Sequence, residues 1–169
     1  MKICLVSHSF YPATFYGGPI FATWELAKRL SESGIEVFVS TTNANGKKRL
    51  FVEKDNYIKQ QDNFFIKYYH EEIVNRFSVS YYLGIWKDIR EVDLVYVQYL
   101  YHYTVLLAVL AAFIYKKKII IAPRGAFSYF SLNNKFVFLK RLYLLFIGLF
   151  QKNIKWQASS YLEKKDILR

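Results

Sequence analysis

Apolar residues occur in two kinds of run along the chain. Short, nearly continuous runs at Lys2–Ser7 (KICLVS), Ile35–Ser40 (IEVFVS), Phe64–Tyr69 (FFIKYY), Val92–Gln98 (VDLVYVQ), Lys118–Ala122 (KIIIA) and Lys155–Ala158 predict strands covered on both faces. Between them apolar residues return at helical spacing, as at Ile20, Trp24, Ala27 and Leu30. The spacing predicts helices over Pro19–Ser33, Phe77–Arg90, Thr104–Lys116, Lys135–Lys152 and Tyr161–Arg169, with Gly34 as the C-cap of the first. Strand, glycine-containing loop, helix and strand within the first forty residues make a βαβ unit, whose crossover requires parallel strands. Residues 41–63 break the rhythm. They are polar, carry Asn45-Gly46 and a basic Lys47-Lys48-Arg49, and predict no helix; Leu50–Val52 is expected to pair locally in a hairpin. The whole pattern predicts the α/β class: a Rossmann-like, doubly wound, mostly parallel sheet with helices on both faces. Near the end, Ser160 reads as a helix cap with Glu163 as its capping-box partner. The chain finishes six residues later, so 1–169 reads as one domain cut at the opening of a further element.

Composition narrows the classes. At 53% hydrophobic and 20% aromatic, a chain of 169 residues can bury a substantial core and is not disordered. The excess of 24 Lys and Arg over 13 Asp and Glu, a net charge of +11, favours an anionic partner: nucleic acid, anionic lipid headgroups or a phosphorylated small molecule. A basic solvated face would give the same balance. No nucleic-acid reader motif accompanies the charge, so nucleic acid is set aside. A single cysteine, Cys4, excludes an internal disulfide and fits a reducing compartment, and with three histidines it does not supply a structural zinc site. The N-terminal apolar run is too short for a signal peptide. The greasiest stretches, Thr104–Tyr115 and Phe136–Phe150, fall short of the ~20 apolar residues that span a bilayer.

In doubly wound sheets ligands bind beyond the carboxyl ends of the strands. Three loops there carry candidate chemistry. The first holds His8 and Gly17-Gly18, a pair that lets backbone N–H groups approach an anion at a helix N-terminus; the same pair also serves as a purely steric turn. It matches neither the dinucleotide nor the Walker fingerprint. The second, QYLYHY, follows Gln98 and holds Tyr101 and His102; the histidine suits a base or a hydroxyl-binding role, or is a surface residue among tyrosines. The third places Arg124 directly after a strand and before Gly125, with Ser128 beyond, where a guanidinium can bind phosphate or a sugar hydroxyl or pair with a carboxylate. Residues 135–152 mix Phe and Leu with Lys and Arg, which suits either an interfacial helix or a core helix packed on the sheet.

Taken in order, SHSFYP, YGGP, ELAKRLSESGIEVFVST, RFSVSYYLGIWKDIREVDLVYVQ, IIIAPRGAFS and WQASSYLEKKDI resemble the N-terminal, acceptor-side domain of retaining glycosyltransferase family 4, in particular bacterial enzymes of capsule, O-antigen and exopolysaccharide assembly. The resemblance covers essentially the whole chain. It implies one half of a GT-B fold, with the C-terminal donor domain absent. It also implies transfer of a sugar from a nucleotide-sugar co-substrate to a saccharide or lipid-linked saccharide, with no other cofactor and no metal. Gly17 and Gly18 would lie on the donor-phosphate side, and His8, Tyr101, Arg124 and Ser128 would line the acceptor cleft. Gln98 and His102 stand as the catalytic candidates. The family often carries histidines in a DVVHxH-like segment at the end of the fourth strand. Here that segment is Asp93-Leu94-Val95-Tyr96-Val97-Gln98, so a non-titrating glutamine takes the site-facing position. The expected location is the cytoplasm, at the inner face of the membrane, with an anionic membrane surface as a partner. Two alternatives remain at this point: a stand-alone module that binds an acceptor or a separate donor-domain chain, and a membrane-surface protein without sugar chemistry.

Overall fold

The computed structural model describes residues 1–74 and 76–169. Its centre is a seven-stranded sheet in the order β5-β6-β2-β1-β7-β8-β9. The strands are β1 (Lys2–Val6), β2 (Glu36–Thr42), β5 (Tyr57–Gln61), β6 (Phe64–Tyr69), β7 (Leu94–Gln98), β8 (Lys118–Ala122) and β9 (Ile154–Trp156), while β3 (Ala44–Asn45) and β4 (Lys48–Arg49) form a separate hairpin. Every neighbouring pair in the large sheet is parallel except β5–β6. Parallel strands alternate two buried faces. Leu5, Val37, Val39, Phe64 and Ile66 pack with Ala27 of α1 (Gly18–Glu32) on one side. On the other, Cys4, Val6, Val95, Val97, Ile119 and Ile121 meet α2 (Val79–Arg90), α3 (Tyr103–Ile114) and the inner side of α5 (Val137–Gly148). The α/β, Rossmann-like architecture with helices on both faces is thus present.

Three local expectations are corrected. Residues 50–52 form no strand; the local hairpin is β3–β4, closed by Gly46-Lys47, with Gly46 at φ 65° as the first central residue of its tight turn. Gly46 also admits the Phe15 ring, which would lie 2.6 Å from a Cβ there, so the hairpin braces the loop after β1. A strand absent from the pattern, β5, pairs antiparallel with β6 at the sheet edge; YIKQQ offers little alternation because its outer positions face solvent, and a bulge interrupts it between Lys59 and Gln61. The helix expected over 135–152 is broken. A short α4 (Tyr129–Asn133) precedes it, Lys135 and Phe136 adopt positive φ, and α5 ends at Gly148 before a 3-10 turn at Gln151–Asn153. The Lys140 ammonium donates to the carbonyls of Ser131 (2.5 Å) and Asn134 (2.8 Å), closing the exposed end of α4. Apolar periodicity runs straight through this break, which is why it left no mark on the pattern. Finally, α6 (Tyr161–Leu168) starts where its cap predicts: Ser160 accepts from the Glu163 amide at 3.1 Å.

Candidate functional site

Strand order fixes where the site can lie. From β1 the chain passes through α1 to β2 on one side, and the later β7 lands on the other side, so the order reverses between β1 and β7. A crevice opens at such a reversal, beyond the carboxyl ends of the strands. The loops after β1, β7 and β8 all lie at that edge because the three strands are parallel neighbours.

The loop after β1 is tied down by its own hydroxyls. Ser7 donates to the Ser9 carbonyl, Ser9 to the Ala44 carbonyl, and Thr42 to the His8 carbonyl at 2.6 Å. A 3-10 turn at Thr14–Tyr16 leads to Gly17, whose φ of 69° and ψ of −144° belong to a region open only to glycine. Gly17 is the N-cap of α1 and offers no side chain to it, so the positive end of the helix is left to backbone groups. The His8 ring sits 5.0 Å from Tyr16, 5.6 Å from Tyr99 and 4.9 Å from His102. Burial lowers its pKa to about 4, so the imidazole is neutral near pH 7 and can both donate and accept.

The second and third loops interlock. Gln98, the last residue of β7, is fully buried; its Oε1 accepts from Arg124 Nε at 3.0 Å, and its Nε2 has no hydrogen-bond partner among the described residues. Arg124 and Gly125 both hold positive φ, 52° and 81°, as do Tyr99 (71°) and Tyr101 (56°). Three non-glycine residues in the left-handed region within two facing loops is unusual, and such backbone is costly unless its surroundings enforce it. Part of the enforcement is Glu163 at the start of α6. Its Oε1 accepts from the Gly125 amide at 2.7 Å, and its Oε2 from the amide and hydroxyl of Ser159, each at 2.6 Å. Burial alone would raise its pKa, but the Ser159 and Gly125 hydrogen bonds, with the Arg124 charge, hold it below the ordinary carboxylate value. The capping-box expectation is therefore half met: Ser160 caps the helix, while the glutamate braces the Arg124–Gly125 turn.

The structure brings His8, Gly17, Gly18, Gln98, His102 and Arg124 to one edge of the sheet. Tyr99 is the link that sequence reasoning passed over. Its ring lies 5.6 Å from His8, burial raises its pKa, and its hydroxyl has no hydrogen-bond partner within reach among the described residues. Its position immediately after a strand's end was the available signal. His102 caps α3: Nδ1 accepts from the Thr104 amide (3.5 Å) and contacts its hydroxyl at 2.9 Å. Tyr101 turns outward, donating to the Ala126 carbonyl at 3.0 Å, and with Phe136, Leu139, Lys140 and Tyr143 lines a cleft of about 270 Å³. Ser128 caps α4 through the Ser131 amide at 3.2 Å. Among the described residues no cluster of three metal-ligating side chains occurs. The arrangement suits a polyhydroxylated or anionic ligand, met by a guanidinium, a buried amide, a neutral imidazole and phenols.

No family model and no curated sequence matches the chain. Among solved structures it is similar to sucrose-phosphate synthase from Thermosynechococcus elongatus, with a TM-score of 0.58 at 10% identity over 90% of this chain and 40% of that one. A match to homoserine dehydrogenase from S. aureus has a TM-score of 0.40 at 16% identity over 94% and 32% of the two chains, too low to carry an argument. The chain thus spans less than half the length of the synthase that it matches, and at such low identity the likeness is one of fold alone: a Rossmann-like α/β domain.

Proposed function

We propose that this chain is the acceptor-side domain of a retaining glycosyltransferase of family 4, of the kind that builds bacterial surface polysaccharides, and that it works with a donor-binding domain facing the β1/β7 crevice. The whole enzyme would move a sugar from a nucleotide-sugar to a saccharide or lipid-linked saccharide. Gly17 and Gly18 would approach the donor phosphates, with His8, Gln98 and Arg124 holding acceptor hydroxyls. The observation that supports this reading most is the Gln98–Arg124 pair: a buried amide keeps its oxygen on the guanidinium while its NH2 has no partner among the described residues, beside Tyr99 and at the reversal of strand order. A buried donor without an acceptor is rare, and a sugar hydroxyl or ring oxygen would satisfy it. The likeness of fold to sucrose-phosphate synthase is consistent with the assignment.

Titration of the 169-residue chain with short saccharides and with nucleotide-sugars, followed by backbone amide NMR, tests it. Saccharides are expected to move the amides around Tyr99, Arg124 and Gly125, and Arg124→Ala is expected to weaken binding at least ~10-fold, the scale of one charge-assisted hydrogen bond. Shifts scattered elsewhere, or unchanged by Arg124→Ala, would remove the acceptor assignment.

A further inference from the structure

The charge of this protein is not spread along the chain. Between Leu94 and Leu162 lie nine of the 24 Lys and Arg and none of the 13 Asp and Glu, so the remaining residues are nearly balanced. That cationic stretch also contains the largest run of exposed apolar side chains. On α5, Tyr143 and Ile147 face the core, and Phe138, Leu142 and Leu145, followed by Leu149 just past its end, form a stripe at i, i+4, i+7 and i+11 on the opposite side. Phe138 and Leu149 are each 77% exposed, far beyond what a helix packed only on its own sheet requires. Phe130 and Phe136 extend the stripe at one end. At the other, the Phe113 ring lies 4.9 Å from Phe150, which brings exposed Phe113 and Ile114 of α3, and the Lys116-Lys117-Lys118 run after them, alongside. Arg141 and Lys152 flank the ridge and are exposed.

We infer that the α3–α5 side of the domain is a docking surface for an anionic lipid bilayer, with the α5 ridge entering the headgroup–acyl boundary and the basic residues on the lipid phosphates. The geometry is that of an interfacial helix, apolar outward with cations at its margins. Among the described residues no helix is long and apolar enough to cross a membrane, so the contact is a surface one. Charge decides between occupants. A second copy of this face would set the cations at Lys116, Lys117, Lys118, Arg141 and Lys152 against their own counterparts, with Asp166 beside Arg141 offsetting a fraction of that charge, whereas an anionic surface complements them. Nucleic acid would match the charge but leave the Phe and Leu ridge in water. Phe136 and Lys140 belong to both the ridge region and the cleft beside Tyr101, so docking here would set the candidate site's flank at headgroup depth.

Flotation of the whole chain tests this, using vesicles of phosphatidylcholine alone and of phosphatidylcholine and phosphatidylglycerol in equal parts. Binding is expected with the mixed vesicles, weaker by at least ~10-fold on the uncharged ones or at high salt. L142E/L145E is expected to abolish it; both positions are exposed, so circular dichroism and the urea midpoint should match the parent chain. Lys116→Glu with Lys117→Glu is expected to weaken binding to mixed vesicles while leaving the fold intact. Equal flotation on both vesicle types, no flotation at all, or a dimer that L142E/L145E converts to monomer would each overturn the inference. It does not rest on sugar transfer: a chain that floats as described but binds no saccharide contradicts only the function proposed above.

Discussion

Two polar clusters lie inside this domain, and they are finished to different degrees. Between α2 and the sheet, Asp88 is buried with its side chain 2% exposed, yet every oxygen is used: Oδ1 accepts from Lys67 at 2.5 Å, and Oδ2 from Ser40 at 2.7 Å and Tyr69 at 2.6 Å. Lys67 also lies over the Tyr57 ring, 4.2 Å from its centre. Burial and then the Asp88 charge raise Tyr69 well above an ordinary phenol, and burial pushes the neighbouring Cys4 thiol up to about 12. Nothing in this cluster is left to offer a ligand or to react. At the carboxyl edge the reverse holds. Gln98 keeps one donor unmatched, and Tyr99, Tyr101 and Arg124 hold backbone angles that their own chemistry does not favour. A closed polar network specifies the fold, while an open, strained one marks the place where the fold has been set up to meet something else.

The strongest way to break that contrast is to open the closed cluster. Asp88→Ala strands the Lys67 charge and two hydroxyls in the interior, and is expected to cost about 3–5 kcal/mol of stability by urea denaturation. Gln98→Leu, by contrast, removes an amide already lacking half its bonds and releases a half-buried guanidinium toward water. Its expected cost is within about 1 kcal/mol. Comparable losses from the two substitutions would show that the carboxyl-edge pair is scaffold as well.

The next effect is one of pH and belongs to His8. Its pKa is about 4 in the folded chain and 6.5 when exposed, so between those values the unfolded chain takes up a proton that the native one refuses. The contribution is complete above pH 6.5 and is lost as the pH falls toward 4, up to about 3 kcal/mol at 1.36 kcal/mol per unit. Urea midpoints at neutral pH and at the bottom of that window should therefore fall less for His8→Asn than for the parent chain. An identical fall in both would mean that the ring is hydrated and that the crevice it lines is wetter than its geometry implies.

What the sequence disclosed follows the same division. Parallel strands buried on both faces announce themselves as apolar runs, and those of β1, β6, β7 and β8 were all legible within a residue or two. The edge strand β5 was not, because one polar flank removes the contrast that the eye depends on. The break before α5 was hidden for the opposite reason: apolar spacing continues through Lys135 and Phe136, where only the backbone angle changes. Residue types next to strand ends pointed to Gln98, His102 and Arg124, and the structure has all three at the carboxyl edge of the parallel sheet. Partnerships were out of reach. That Glu163 would turn from its own cap to hold the Gly125 amide depends on two loops 38 residues apart meeting in space. Nor did spacing reveal that α5 is apolar on two sides, because helical periodicity reports a stripe and not what covers it.

The smallest expected effects come from the glycine pair, and they separate a turn from a site. Gly17 holds a backbone region closed to other residues, so Gly17→Ala is expected to cost about 1–2 kcal/mol whatever the loop does. Gly18 is different. It has no positive φ, and a Cβ built on it meets nothing within 4 Å, so alanine fits the folded chain and favours the helix it begins. Gly18→Ala should leave stability within about 0.5 kcal/mol of the parent. If the empty space beside it is reserved for a diphosphate, the methyl group occupies it. Titration with a nucleoside diphosphate would then shift the amides of Gly18 and Ile20 in the parent chain and leave Ile20 unmoved in the variant. Equal shifts in the two proteins would mean that the second glycine is there only to start a helix, and the phosphate-binding role proposed for the pair would fall.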